Sequence, residues 1–576
     1  MNFSHVSLIC TNITSLFSYM KKSNLYWLVA FFTFILPGCS NKNVDLDKII
    51  NERVNASQIS LIPDNAGSTP SYFCTWSAQN FAVDTITLNY MIGLGDHTMA
   101  SDKLTEDAVF GNRGWEKQFP GSIKKDLFLM FDVGWDIAGE SFTDKKNKWI
   151  IGTLDVATDK FPSCTGTPEE KLAKLNLLTK NAGWKGAGIW IAAQTSMDSK
   201  GIKPSDEEVE KYYRERFIWS RKAGIQYWKV DYGSRGGDLK YRQMLTRLSH
   251  EEAPGLLVEH GRGGGPFNDD ECPWDAKPQK TGRYSIWDNG NALKSAHNLL
   301  EFSDVLRTYD VSAQLSIPTT LDRVAQILNT FNSMPLGRGI INCEDEPYIA
   351  AALGCAVGIM RHPAFINAPG HDYDPLKVKN QMDAVIRAVR WQRFSPAFSV
   401  GSNITELDTV INKDYWTFKP GQTWAKWMEG KTILQAAPSR VARGMHLPDV
   451  KCDGISPYVV CSRFPNGNYA VSSLIRTDSI KGFIYPLADV VLNCSEIASV
   501  GIFGRFKSLT IVFESPTKIN KVIAQDLAGE KAIDITDLIH INQNSVKLSG
   551  ELLKIVGLSA ASKNDVSAPG LVLAFM

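Results

Sequence analysis

From Ser71 to about Arg393 the chain repeats one pattern of hydrophobic and polar positions. A short apolar run of strand length gives way to a polar loop, and then to a longer stretch with apolar residues three and four apart. The short runs are YFCTW (72 to 76), LFLMFDVGW (127 to 135), GAGIWIAA (186 to 193), IQYWKVDYG (225 to 233), GLLVEHG (255 to 261) and SDVLRTYDV (303 to 311), followed by GRGIINCE (337 to 344) and AVGIMRH (356 to 362). Between them, TPEEKLAKLNLLTKNAG and SDEEVEKYYRERFIWSRKAG each open on a capping residue and an acidic first turn and stop at glycine, which predicts helices. Eight strands with helices between them predict a (β/α)8 barrel with insertions over residues 66–425. A doubly wound open sheet is the competing arrangement, but no Gly-x-Gly-x-x-Gly follows the first strand. Beyond about residue 430 the period shortens. YVVCSRFPNGNYAVSSLIRT is two apolar runs about a Pro-Asn-Gly-Asn turn, and LTIVFES, INKVIAQDL and GLVLAF continue the short runs, so residues 430–576 are predicted to form an antiparallel β-sandwich.

The N-terminus reads differently. Lys21 and Lys22, the apolar run Leu25 to Leu36 and the sequence LPGC ending at Cys39 form an export signal of bacterial lipoprotein type, with Cys39 the expected lipidation site and Met20 an alternative start. The expected location is the bacterial cell envelope, on the outer membrane surface or the periplasmic face, with the membrane reached through the lipid. Residues 40–65 read as a tether. Composition changes this picture little: 62 Lys and Arg against 61 Asp and Glu leave a net charge of +1, which gives no electrostatic reason to expect nucleic acid. Fifteen Trp, 17 Tyr and 27 Phe supply flat faces that suit sugars as well as cores. Cys452 and Cys461, flanking a Gly-Pro-containing turn region, are the expected disulfide pair if one forms, and no Cys-x-x-Cys suggests a zinc ribbon.

In such a barrel the active site is assembled at the C-terminal ends of the strands. Polar residues and tryptophans closing the apolar runs are therefore the candidates: Trp76; Asp132, Trp135 and Asp136; Trp190 and Gln194; Lys229 and Asp231; Glu259 and Arg262; Arg307 and Asp310. Lys229 and Asp231 share a face because strand side chains repeat every second residue. A cation so placed keeps the carboxylate ionised and can bind a hydroxyl, while Gly233 lets the chain turn away.

These segments resemble clan D glycoside hydrolases, chiefly family 27 with touches of family 36, the α-galactosidase and α-N-acetylgalactosaminidase group. TPSYFCTWSAQNF resembles the first strand of that family, FDVGW the second, GWKGAGIWIA the third, YWKVDYG the fourth, LVEHGRGGG the fifth and LRTYDV the sixth, in the family's order. The resemblance implies that Asp231 is the nucleophile and Asp310 the general acid/base of a retaining mechanism. It also implies that Trp76, Asp132, Trp135, Asp136, Trp190, Lys229, Glu259, Arg262 and Arg307 contact substrate. Glycosidic cleavage needs both carboxyl roles, one to trap the oxocarbenium-like centre and one to protonate the leaving oxygen.

Two departures bear on specificity and on the acid. Where family 27 has two adjacent Asp on the second strand to grip the hydroxyls that identify galactose, this chain has Asp132 followed by Val133. The sixth-strand segment is one residue short of the family's, which leaves Asp304 as a substitute for Asp310. Glu259 and His260 lie where the family reads the sugar's second carbon, as a hydroxyl or an N-acetyl group. The expected activity is a retaining exo-acting α-glycosidase with galactose the first sugar to consider. Glucose, N-acetylgalactosamine, L-arabinopyranose or a non-catalytic glycan-binding role are the alternatives. No cofactor or metal is called for; FNDDE (267 to 271) and HDYD (371 to 374) lack EF-hand spacing and read as solvated loops. Trp416, Trp424 and Trp427 read as interdomain packing or, alternatively, as a sugar platform.

Overall fold

The computed structural model describes residues 45–83, 97–138, 152–199, 203–231, 233–261, 290–308, 314–333, 337–363, 381–419, 430–515 and 518–576. The chain divides into residues 1–49 and residues 50–576, and the second unit holds the features below. Eight parallel strands form one sheet: β1 (Tyr72–Cys74), β2 (Phe128–Phe131), β3 (Gly186–Ile191), β4 (Tyr227–Val230), β5 (Leu257–His260), β6 (Val305–Arg307), β7 (Ile340–Asn342) and β8 (Gly358–Ile359). From β1 to β7 each pairs with the next in sequence, and β8 pairs back onto β1. A bridge between Asn342 and Ala356, with the Gly358 amide donating to Asn342 Oδ1 at 2.6 Å, joins β7 to β8 and completes the predicted (β/α)8 barrel.

Strand alternation sorts the side chains into two populations. Tyr72, Cys74, Phe128, Met130, Tyr227 and Val305 fill the barrel's interior, while Phe73, Leu129, Phe131, Ile189, Trp228, Val258 and Leu306 face the helical layer. Space inside is tight enough to require glycine at two inward positions. A Cβ on Gly188 would lie 2.6 Å from Met130 Cε, and one on Gly358 would lie 2.7 Å from the Tyr72 ring.

The two predicted helices are Pro168–Asn181 and Asp206–Ala223. Thr167 and Ser205 cap them, each with a reciprocal Glu three residues on, and Gly224 ends the second in the left-handed conformation.

Beyond the barrel lie an eight-stranded sheet and a five-stranded sheet with one apolar core between them, drawing Val459, Val471, Ile502 and Leu573 from one and Val490, Leu509, Ile511 and Val546 from the other. Three departures from the expected sandwich are clear. It is not purely antiparallel: Arg440–Arg443 runs parallel to Tyr458–Arg463, Tyr469–Leu474 to Val500–Gly504, and Ala488–Cys494 to Ser508–Phe513. The stretch read as a tether contains the helix Leu46–Ala56, whose Ile50 is wholly buried among sandwich residues and whose Arg53 pairs with Asp537 at 2.7 Å. Finally, Cys452 and Cys461 are free thiols; Cys461 points into the sealed core from a central strand, whereas Cys452 ends an edge strand and is partly exposed. Among the described residues no helix is long and apolar enough to cross a membrane, and the apolar run 25 to 36 and Cys39 lie outside them.

Candidate active site

The residue that closes the fourth strand organises the site. Asp231 follows β4 directly, in the inward phase of Tyr227 and Lys229, and is 7% exposed. Its Oδ1 accepts from Arg307 Nη2 at 3.0 Å and its Oδ2 from the Trp190 indole N–H at 3.1 Å. Burial alone would push this carboxyl up; Arg307, Lys229 and the Trp190 hydrogen bond outweigh it and hold Asp231 below the usual aspartate value. The Asp231 backbone is fixed as well, its carbonyl accepting from Arg242 Nη2 at 3.0 Å. Gly233 adopts φ +155°, and a Cβ there would lie 2.6 Å from the Ala193 carbonyl oxygen. The turn that carries Asp231 over the rim therefore needs glycine.

One layer deeper, Lys229 Nζ binds Asp132 Oδ2 at 2.8 Å, and the Cys74 thiol donates to the same oxygen at 3.0 Å. Lys229 is thus tied to Asp132 and reaches Asp231 through its field. Glu259 lies wholly buried across the barrel, accepting from Tyr72 Oη at 3.0 Å, Tyr227 Oη at 2.9 Å and Asn342 Nδ2 at 2.6 Å. Arg307 spans the space between: Nη2 on Asp231, Nη1 4.0 Å from Glu259 Oε1, and Nε 3.3 Å from Glu344 Oε2. It fits because residue 261 is glycine; a Cβ there would lie 2.5 Å from Nη2. Trp76 packs beside Val133, Trp190 and Ala192, giving the mouth an apolar wall on the β1 to β3 side.

Four residues singled out from sequence stand elsewhere. Trp135 is completely buried in the outer core, its indole N–H donating to the Trp190 carbonyl at 2.9 Å, so it props the wall from behind. Asp136 opens a two-stranded ribbon with Gly152–Val156 and accepts from the Leu154 amide at 2.8 Å; burial pushes its carboxyl up to about 7. His260 points outward to Arg242 and Thr246, and burial followed by the Arg242 charge pushes its pKa well below the usual value. Asp304 precedes β6 at the end opposite Arg307 and is engaged by His250 at 2.9 Å and the Val258 amide at 2.9 Å, which removes it as a substitute acid.

Gln194 braces the rim, its Oε1 accepting from the Ser234 amide at 2.9 Å. Trp416 stacks on Phe483 with centroids 5.8 Å apart and packs with Leu315 and Phe418. Arg262, Asp310, Trp424, Trp427 and the FNDDE and HDYD segments lie outside the described residues. Glu344 is the site residue that the strand-end reading missed. It ends the run GRGIINCE and shares the inward phase of Asn342, so period two was its available signal.

The arrangement presents an ionised, oriented carboxylate at a barrel mouth between an apolar aromatic wall and buried cations. A carboxylate so held has the charge and the orientation that attack on an electrophilic carbon requires. No protein family model matches the chain, and no curated protein matches it. Solved structures do. A GH27 β-L-arabinopyranosidase from Geobacillus stearothermophilus matches at 10% identity over 88% of this chain and 96% of that one, with a TM-score of 0.38. An α-galactosidase from Saccharomyces cerevisiae matches at 9% over 88% and 96%, with a TM-score of 0.32. An α-amylase from Anoxybacillus matches at 11% over 88% and 98%, with a TM-score of 0.28. What the chain has in common with them is the fold, which the strand order already establishes.

Proposed function

We propose that the protein is a retaining exo-acting α-glycosidase. Asp231 attacks the anomeric carbon of a terminal sugar, and Asp310 protonates the departing oxygen and then activates the water that releases the product. The observation that carries this reading is the Asp231 carboxylate itself: buried, yet held ionised by Arg307 at 3.0 Å and the Trp190 indole at 3.1 Å, at the C-terminal end of a barrel strand. A carboxylate with those partners keeps its charge at the pH where an acid must still hold its proton, which is the division of labour a double displacement needs. Trp76 and Trp190 would face the sugar ring, and Lys229 and Arg307 would set the field. In this reading the export signal and Cys39 place the enzyme in the cell envelope, where it meets glycans.

Galactose remains the first sugar to test, but Val133 favours a second choice. It is buried against Trp190 and Ala192 and packs with Trp76, so this wall offers apolar surface where the resembled family offers a second carboxylate. A pyranose without the exocyclic hydroxymethyl group, such as L-arabinopyranose, leaves no hydroxyl unpaired against that wall.

The test is hydrolysis of a panel of nitrophenyl glycosides by the full chain, by Asp231→Asn and by Asp310→Asn, with the anomer of the first product read by NMR. Release of one sugar with retained configuration, lost in both variants, supports the assignment. No release, with binding to a glycan array, makes the barrel a receptor and overturns it.

A further inference from the structure

Glu344, at the mouth, has no task in that mechanism. Glu344 stands two residues beyond β7, is 5% exposed, and reaches the same guanidinium as the nucleophile: Arg307 Nε lies 3.3 Å from Glu344 Oε2 while Arg307 Nη2 lies 3.0 Å from Asp231 Oδ1. Among the described residues Glu344 Oε2 accepts no hydrogen bond. Among the described residues the charged groups facing it are Arg307 from β6, Lys229 from β4, Asp231 just beyond it and Glu259 from β5. Lys229 is already bound to Asp132, and Glu259 is satisfied by two tyrosines and Asn342. Asp231 and Glu344 are therefore drawn to one cation, with Glu259 4.0 Å from it, and neither is more than 7% exposed, so ionising both costs more than ionising one. The result is a split. Asp231 is held low, whereas burial, with Glu259 and Asp231 adding to it against Arg307 and Lys229, pushes Glu344 up to about 7.

We propose that Glu344 is a positioning residue that decides how firmly Arg307 holds Asp231: protonated, it leaves the guanidinium to the nucleophile; ionised, it draws the guanidinium toward β7 and loosens it. The proposal rests on the glycosidase reading. It differs from a structural role because it makes nucleophile competence depend on a proton carried by a residue that never touches the sugar.

The experiment has two arms. In the first, covalent labelling of the full chain by 5-fluoro-α-D-galactopyranosyl fluoride and by 5-fluoro-β-L-arabinopyranosyl fluoride is followed by mass spectrometry across pH 5 to 9. Fluoride departs with little need of a general acid, so the profile reports Asp231 and its surroundings, and Asp231→Asn is the unlabelled control. The wild-type rate is expected to fall as pH rises past about 7. Glu344→Gln should abolish that fall, and Glu344→Asp should restore one. An unchanged fall in Glu344→Gln overturns the proposal.

The second arm needs no activity. A carboxyl raised in the folded state keeps a proton that the unfolded chain has released, so its contribution to stability declines as pH rises toward 7. Glu344→Gln should therefore gain several degrees in Tm over wild type between pH 5 and pH 8, and that gain should shrink in an Asp231→Asn background, where the second negative charge on Arg307 is gone. No gain, or a gain indifferent to Asp231, overturns the sharing of Arg307. If neither fluoride labels any variant, it is the glycosidase reading that fails, and the thermal arm alone decides the coupling.

Discussion

Two of the regions that bury arginine in this molecule do so in opposite ways. Where the barrel's last helix, Met382–Phe394, meets the sandwich, Arg387 forms a two-pronged pair with Asp526, Nε to Oδ1 at 2.8 Å and Nη2 to Oδ2 at 3.0 Å. Asp526 is completed by the Ala528 and Ala560 amides. Nearby, Arg443 from the sandwich donates to the carbonyls of Leu353, Gly354, Phe398 and Ser399 and covers the Phe398 ring at 3.6 Å. Arg387 has its carboxylate there, and Arg443 has four carbonyls in place of one. At the barrel mouth, by contrast, Arg307 and Lys229 stand among Asp132, Asp231, Glu259 and Glu344. At the interface the arginines are fixed by a carboxylate and by carbonyls; at the mouth a surplus of carboxyls leaves one held ionised and another short of a cation.

The largest expected effect tests the mouth. Asp231→Asn keeps the shape of the side chain and removes the proposed nucleophile, so kcat/KM on the sugar the panel identifies should fall roughly 10^4- to 10^6-fold, with Tm within a few degrees of wild type. A similar loss in Tm would mean that the carboxylate is a strut like Asp526. The interface gives the converse result. Asp526→Ala strands Arg387 in a dry contact and should lower stability by about 3–5 kcal/mol, measured by denaturant unfolding. Arg387→Met combined with Asp526→Leu should recover much of that loss, because replacing both partners removes the desolvation cost along with the attraction.

Asp136 separates burial from surplus charge, since its carboxyl is pushed up to about 7 chiefly by burial and lies outside the cluster around Arg307. The folded state holds its proton between the unfolded pKa near 4 and about 7, so the stability it supports is complete below about 4 and is lost as pH rises through 7. Asp136→Asn should match wild type at pH 4 and exceed it by a few kcal/mol at pH 8, where each pKa unit is worth about 1.4 kcal/mol. A flat difference across pH would show that the ribbon opens enough for water to reach the carboxyl.

Much of this was legible in the sequence because it is local. Each barrel strand is a short apolar run closed by polar residues, and the two capped helices advertise both ends. The inward phase was legible too, since Lys229 and Asp231 differ by two. The same rule, applied strictly, puts Trp135 and His260 on the outer face and Glu344 inside; the resemblance drew attention to the first two, and the short seventh strand hid the third. The helix Leu46–Ala56 carries its signal in Leu46, Ile49, Ile50 and Val54, but so short a pattern is decided by what it packs against. Parallel pairs within the sandwich were not readable, because the partner of a strand such as Tyr469–Leu474 lies beyond its immediate neighbours in the chain and is chosen by the whole sheet.

The smallest expected effect marks the edge of the comparison. On the outer faces of the helices Asp206–Ala223 and Leu239–Glu252, Arg247 pairs with Glu210 at 2.8 Å and Glu251 at 2.9 Å, and Arg214 with Glu210 at 2.9 Å and Glu251 at 3.1 Å. Charge is matched here as at Arg387, and the distances are as short. These side chains are 36–45% exposed, however, so water already solvates each charge and salt screens what attraction is left. Arg247→Ala should cost no more than about 1 kcal/mol, and raising the salt concentration should reduce the loss, whereas the penalty of Asp526→Ala should barely respond to salt. If Arg247→Ala proved as costly as Asp526→Ala, it would be the network as a whole that stabilises these helices, and burial would no longer explain why one arginine is structural and another is poised.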